Sequence, residues 1–280
     1  MGVVIGIDVG GSTTKIVGIR VEGDKKTIIN PQLVSANDPI TATYGAFGKF
    51  TDENGIAFSE IDRIMVTGVG ASYIKHDMYG IKSVIVPEFS ATALGGLYLS
   101  ELKDCLVVSM GTGTAMVHAI DGEKPKYLGG TGVGGGTLIG LSKLLLNAET
   151  VEHIEECGAP GNLANVDLRI RDITANGSHG ELVGELTASN FGNISDGVTK
   201  EDIAKGIINL VSETIGVVSI FAARSVGVSN IVLTGNLTRI ELVKEKFDFF
   251  NSLEKIYGVN FIIPNMAEFA TVIGTALYEI

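Results

Sequence analysis

The stretch Gly2-Val3-Val4-Ile5-Gly6-Ile7-Asp8-Val9-Gly10-Gly11-Ser12-Thr13-Thr14-Lys15 decides the reading of this chain. Residues 2–8 form an apolar run of strand length that ends on an acid, Asp8, and small residues follow at once. Residues 14–21 then resume as a second strand and 25–33 as a third. This is an antiparallel meander, not the strand–turn–helix order of a Rossmann unit. The pattern returns further along. Leu106-Val107-Val108-Ser109-Met110 leads into Gly111-Thr112-Gly113-Thr114, and strands follow at 115–120 and 126–128. Two strands that each end in a small-residue turn point to one phosphate cluster gripped from two sides. That is the layout of a two-lobed phosphotransferase with its nucleotide in the cleft.

The rest of the chain fits around this repeat. Helices are predicted at 38–54 and 90–102, and strands at 61–67 and 83–86. A helix opens near Thr137 and runs to 146, a glycine-interrupted polar stretch covers 147–198, and a long apolar helix covers 200–226. A strand at 230–234, a helix at 240–251, a strand at 260–263 and a closing helix at 267–278 complete the order. Two strand–turn–strand units predict two related lobes.

With 280 residues the chain is long enough for one large domain or two medium ones. Glycine is unusual: 37 residues, about 13% against the usual ~7%. The glycines have no collagen period, and they cluster where backbone would approach a ligand. Formal net charge is −11, from 21 basic and 32 acidic residues, which argues against a general nucleic-acid surface. It leaves a nucleotide possible, because local N–H donors and one metal hold polyphosphate inside acidic proteins. Cys105 and Cys157 are the only cysteines, so a disulfide scaffold is not expected and a reducing compartment is. The opening residues read as a strand rather than a signal peptide. No apolar stretch is expected to reach the ~18 residues of a membrane span. The expected location is the cytoplasm, with neither nucleic acid nor membrane as partner.

Several residues carry candidate chemistry. Asp8, at the end of the first strand, could organise magnesium directly or through water, or could cap its own turn. Gly10 and Gly11 would turn backbone N–H groups to the phosphates, and Ser12 and Thr13 add hydroxyls. Lys15 is either a phosphate contact or a solvated lysine on the next strand. Gly111, Thr112, Gly113 and Thr114 supply the opposite jaw. The run from Gly129 through Gly130, Thr131 and Gly132 to Gly134, Gly135 and Gly136 opens a helix, where free N–H groups form an anion site or the glycines form a hinge. No Walker A ending is present, which disfavours a P-loop fold. Glu88 stands before a helix, either favoured there by the helix dipole or placed at the cleft wall as general base. His76, His118, His153 and His179 lack metal-ligand spacing.

Together these segments resemble the type II pantothenate kinases, within the acetate and sugar kinase, heat-shock cognate and actin superfamily. The resemblance spans nearly the whole chain. It is carried by residues 6–15, Glu88-Phe89-Ser90-Ala91, residues 129–137, Val166-Asp167-Leu168-Arg169-Ile170, residues 185–192 and Thr234-Gly235-Asn236-Leu237. It implies an α/β, two-lobed actin-like (ribonuclease H-like) ATPase fold with mixed sheets and an interlobe nucleotide cleft. The first lobe would cover 1–103, with helix 268–280 packing back on it. The second would cover 104–267 and carry the second phosphate loop, the adenosine segment and the dimer contacts.

The implied activity is ATP- and magnesium-dependent phosphorylation of the primary hydroxyl of pantothenate, the first step of coenzyme A synthesis, by a homodimer. Carried over, Glu88 matches the catalytic base and Asp8 the phosphate and magnesium residue. The two glycine turns match the phosphate loops, and Gly235 and Asn236 lie nearer the nucleoside. The acceptor side falls on Lys126, Tyr127, Gly129, Gly130 and Thr131. One departure stands out: Tyr127, preceded by Lys126, occupies the position where the family usually has an arginine that engages the acceptor. Arginine clamps a carboxylate with two hydrogen bonds, tyrosine gives one, and lysine is a mobile point charge.

Three alternatives remain at this stage. A kinase of another small alcohol or N-acetylated sugar is one, though the zinc cluster usual in that branch is absent. An ATPase activator of a redox partner is another, though the isolated cysteines do not supply its cluster loop. A nucleotide sensor or actin-like structural protein is the third.

Overall fold

The computed structural model describes residues 2–11, 13–23, 25–34, 38–175, 177 and 183–280. Ser12 and His179 therefore lie outside the described residues.

The apolar run that opens the chain forms β1 (Gly2–Val9), whose Val3, Val4, Ile5, Ile7 and Val9 are all buried. A strand covered on both faces reads as continuous apolar sequence rather than alternation. The meander continues through β2 (Thr14–Glu22) and β3 (Lys25–Val34), both antiparallel. Helix α1 (Pro39–Glu53) begins where Asp38 Oδ2 accepts the Thr41 N–H at 2.6 Å, with proline in the first turn. Its Ala42, Ala46, Phe47 and Phe50 recur at helical spacing and are buried. Strands β4 (Ile61–Thr67) and β5 (Ser83–Ile85) then join in parallel, giving the order β3-β2-β1-β4-β5. Helix α2 (Glu88–Ser100) follows.

The second half repeats this plan. Strands β6 (Asp104–Met110), β7 (Thr114–Ile120) and β8 (Lys126–Thr131) form the meander. An excursion carries α3 (Gly135–Leu146), α4 (Val151–Gly158), the short strand pair β9 (Leu168–Arg169) and β10 (Thr187–Ser189), and α5 (Lys200–Val226). Next come β11 (Asn230–Thr234), α6 (Glu241–Ser252), α7 (Glu254–Tyr257), β12 (Asn260–Ile262) and α8 (Ala270–Leu277). Its sheet order is β12-β11-β6-β7-β8, with β11 parallel to both β6 and β12. Read from the other edge, this is the first sheet's order strand for strand. The fold is a two-lobed, mixed α/β actin-like one, as the sequence resemblance implies.

Helices α2 and α8, the equivalents that follow β5 and β12, pack on each other. A Cβ at Gly95 would overlap the Ala270 carbonyl, and one at Gly274 would overlap that of Ala91. Glycine is required at both crossings because backbone meets backbone. Through Val272, Ile273 and Ala276, α8 shares a core with Val4, Val17, Ile19 and Met65 of the first sheet. A Cβ at Gly96 of α2 would overlap Val107 on β6, so the helix pair lies between the two sheets.

One expectation from composition is corrected here. α5 spans 27 residues and is long and apolar enough to cross a membrane. Yet 61% of its most apolar window is buried, and Ile207, Ile208, Val211 and Ile215 pack into the second lobe's core. Glu213 and the scattered polar residues around it interrupt the apolar run in the sequence, which hides the length of the window. The helix is capped by Thr199 and Asp202 and stopped by Gly227 at φ +75°.

Candidate active site between two glycine turns

Each meander delivers one turn to the mouth of the interlobe cleft. In the first, the Gly10 N–H donates to Thr13 O at 3.0 Å; in the second, the Gly111 N–H donates to Gly113 O at 2.9 Å. The turns face each other, for a Cβ on Gly11 would lie 4.0 Å from Thr112 Oγ1. Between them is a cavity of about 620 Å³ lined by Asp8, Gly10, Gly11, Thr13 and Lys15 from one side. Gly111, Thr112, Gly113, Thr114, Gly235 and Asn236 line the other. Among the described residues, Gly11, Thr112 and Gly113 have no backbone acceptor for their N–H groups. Such donors suit a polyphosphate.

Asp8 and Lys15 are directly opposite in the β1–β2 ladder. Burial pushes the Asp8 carboxyl up, against the pull of the Lys15 ammonium. Burial pulls Lys15 down, opposed by Asp8 and Glu268, and Arg239 adds to the fall. Lys15 is only 7% exposed and its Nζ donates to Glu268 O at 2.6 Å. The solvated alternative for this lysine is therefore wrong; β2 is a central strand, and its side chain points into the cleft.

Glu88 is the first residue of α2 and lines the same cavity. Burial and then the charge of Asp8 hold its carboxyl above the usual glutamate range. An acid with a raised pKa, facing paired loops in a cleft, is a candidate proton acceptor.

The glycine run after β8 behaves differently from the expectation. The N–H groups of Gly135 and Gly136 donate to Gly111 O and Thr112 O, each at 2.8 Å. That of Gly134 donates to Thr137 Oγ1 at 3.3 Å. These amides brace the second glycine turn and are not open to an anion. A Cβ at Gly134 or Gly136 would press on the Thr112 carbonyl, which explains the glycines by packing. The sequence showed donors at a helix start but not that a neighbouring loop supplies their acceptors.

On the acceptor side, Tyr127, Gly130 and Thr131 line the cavity, whereas Lys126 and Gly129 do not. Lys126 and Tyr127 are successive strand residues, and their side chains leave opposite faces. A bulge at Leu128, with Gly129 at φ +128°, locally shifts the β7–β8 register. Tyr127 stacks on Phe89 with ring centroids 4.2 Å apart and planes 9° from parallel.

Sequence reasoning missed Gly68 and Val69 as lining residues, whereas Thr271, which also lines the cavity, falls in the closing segment 268–274 that the resemblance sets near the nucleoside and the interlobe connection. Gly68 follows β4 at φ +88°, and its Cβ would lie 2.6 Å from Asp8 Oδ1. Gly235 follows β11 at φ +94°, and its Cβ would lie 2.5 Å from Met110 O. The recurring Thr-Gly pair, Thr67-Gly68 and Thr234-Gly235, was the signal that marks both.

The fold and the paired turns define the class: a nucleotide-binding, kinase-like enzyme of the acetate and sugar kinase, heat-shock cognate and actin superfamily. The family profile described as Fumble matches residues 4–254. The chain belongs to that family. It is 28% identical over 241 residues to a type II pantothenate kinase of Staphylococcus aureus (strain USA300), covering 83% of this chain and 84% of the relative. Among solved structures it is similar to component A of the (R)-2-hydroxyglutaryl-CoA dehydratase of Acidaminococcus fermentans. There the TM-score is 0.70 at 20% identity, over 99% of this chain and 97% of that one. It is also similar to the activator of the 2-hydroxyisocaproyl-CoA dehydratase of Clostridium difficile with bound ADPNP. That match has TM-score 0.67 at 16% identity, over 99% and 93% of the chains. At those identities the two structures speak to fold alone.

Proposed function

We propose that the protein transfers the γ-phosphoryl group of ATP to the primary hydroxyl of pantothenate or a close hydroxylated relative. The observation that carries this reading is Glu88, a carboxylate with raised proton affinity that lines the same cavity as the two glycine turns. The relatives named as type II pantothenate kinases support the choice of acceptor.

In this mechanism the two turns hold the phosphates through backbone N–H groups, and Lys15 adds positive charge beside Asp8. Glu88 accepts the hydroxyl proton as the acceptor oxygen forms its bond to γ-phosphorus. The bond from γ-phosphorus to the β–γ bridging oxygen breaks, and its electron pair leaves with ADP. Asp8 is the residue that would hold magnesium. Its hard oxygen suits that ion, and no cluster of three His, Cys, Asp or Glu residues occurs among the described residues. The donor set thus fits an ion coordinated largely by phosphate and water. Bound there, magnesium supplies neutralisation of phosphate charge.

The redox-activator alternative gains no support from the cysteines. Cys105 is fully buried on β6, where burial and Asp104 push its thiol up to about 12. Burial also raises Cys157, on α4. Neither is set up as a thiolate ligand or nucleophile.

We also propose a homodimer through α5, whose Phe221 is 61% exposed beside partly buried Val217 and Val218. The direct test of the reaction is ADP release with ATP and magnesium, with and without pantothenate. Acceptor-dependent ADP supports it, and acceptor-independent hydrolysis alone would reject it.

A further inference from the structure

Glu88 is the proposed proton acceptor, yet no polar partner aims it. Its raised proton affinity comes from burial and the Asp8 charge, with no hydrogen bond to its carboxylate among the described residues. Pro87, which precedes it, gives α2 no side-chain cap. Anchoring to the first sheet stops at Val86, whose N–H donates to Val66 O at 2.8 Å and whose carbonyl accepts the Thr67 hydroxyl at 2.9 Å. The helix is held again from Ala91, whose carbonyl lies against Gly274. Between these points the first turn reaches the second sheet through Phe89, which stacks on Tyr127 of β8 at 4.2 Å and 9°. A catalytic base is ordinarily oriented by a third group, and here an aromatic pair stands in that place.

The backbone of β8 is shaped to present the ring. On a regular pleat, residues three apart leave opposite faces. The bulge at Leu128 pairs Tyr127 with Val117 and Gly130 with Ala115, which puts both on one face. A Cβ at Gly130 would lie 3.2 Å from the Tyr127 hydroxyl oxygen, so glycine leaves the ring its room. Phe89 and Tyr127 stay 38% and 49% exposed. The pair is therefore not part of a core, and its loss should leave the fold standing, although stacked rings attract beyond their area burial.

We propose that Tyr127 and Phe89 are positioning residues for Glu88: their stack ties the first turn of α2 to the second sheet and so fixes the general base in the cleft. This rests on the phosphotransferase reading above and deepens it. The ring carries the role, and the phenol hydroxyl does not.

The test is steady-state kinetics with ATP, magnesium and pantothenate across pH, beside amide hydrogen exchange. Tyr127→Leu and Phe89→Leu should each lower kcat by about tenfold or more with KM for ATP unchanged, because a slightly misplaced base is costly. The double variant should lose no more than either single one, since one stack carries both effects. Tyr127→Phe keeps the ring and should recover most of the kcat lost in Tyr127→Leu. A loosened first turn shields Glu88 less, so the acidic limb of kcat/KM should move down toward the ordinary glutamate range in both leucine variants. The Ser90 and Ala91 amides, which donate to Pro87 O at 3.0 Å, should exchange faster there, with β1 and β6 unchanged.

Unchanged kcat, acidic limb and Ser90–Ala91 exchange in the leucine variants would overturn the proposal while leaving the kinase reading intact. A Tyr127→Phe no better than Tyr127→Leu would also overturn it, by giving the role to the hydroxyl. Faster exchange in β1 and β6 as well would make the stack a general support of the fold, and the positioning role would fall. Absence of acceptor-dependent phosphorylation by the unsubstituted protein defeats the kinase reading and this proposal together.

Discussion

Gly95 of α2 and Gly274 of α8 occupy matching places in the two halves, and each lies against the other helix's backbone: Gly95 on Ala270, Gly274 on Ala91. The neighbouring Thr92 and Thr271 hydroxyls meet at 3.4 Å. Each helix carries the same spacing, Ala91 to Gly95 and Ala270 to Gly274, so the crossing is a product of the internal repeat. Because it joins the two sheets, it also sets the distance between the glycine turns.

The first prediction concerns this crossing. Gly95→Ala must displace a backbone carbonyl, and overpacking of that kind costs about 1–3 kcal/mol. Gly45→Ala, on an exposed position of α1 with nothing within 4 Å of the new Cβ, should instead stabilise by about 0.5–1 kcal/mol through helix propensity. Chemical denaturation of both variants gives the comparison, and a loss at Gly45 matching that at Gly95 would contradict the packing account.

Glu88→Gln removes the proton acceptor but keeps the shape. Turnover should fall by about 10²–10⁴-fold, with ATP affinity nearly unchanged by calorimetry.

The pH profile follows from the same residue. Burial and Asp8 raise the Glu88 pKa above its ordinary 4.5. Below that raised value the carboxyl is protonated and cannot take the hydroxyl proton. The acidic limb of kcat/KM should therefore lie above the usual glutamate range, and the residual rate of Glu88→Gln should lack it. Stability runs the other way. A raised folded-state pKa contributes stability that is present at low pH and lost as pH rises through it. Glu88→Gln should thus gain in Tm over the unsubstituted protein as pH increases through that window.

Asp8→Asn should weaken the magnesium response, lowering turnover by about 10²-fold or more. A magnesium titration with unchanged midpoint and maximum would remove Asp8 from the metal role.

Phe221→Asp should disrupt the proposed dimer on α5. Sedimentation velocity of the unsubstituted protein should show two-chain particles, and the variant should shift toward single chains.

Much of this architecture is legible in the residues. The twin strand–turn–strand units, the long helix at 200–226 and the place of Glu88 before a helix all follow from local pattern, since strands and helices announce themselves by their periods, whereas the caps Asp38 and Thr199 emerge only in the structure. What stayed hidden is tertiary. Lys15 reads as surface or site with equal ease, and only the central place of β2 buries it. Gly134, Gly135 and Gly136 read as an open anion site until the Gly111–Thr112 turn supplies their acceptors. Lys126 and Tyr127 sit side by side in sequence, and the strand pleat alone decides which one meets the cleft. The full pairing of the halves needed the Thr-Gly steps at 67–68 and 234–235, too short to stand out by themselves.

The measurement that tests the central claim most directly is mass analysis of the product formed from ATP, magnesium and pantothenate, run beside Glu88→Gln. The account predicts one added phosphoryl group on the acceptor, stoichiometric with ADP, and near-complete loss in the variant. ADP formed with inorganic phosphate alone, or equal product from Glu88→Gln, would contradict it.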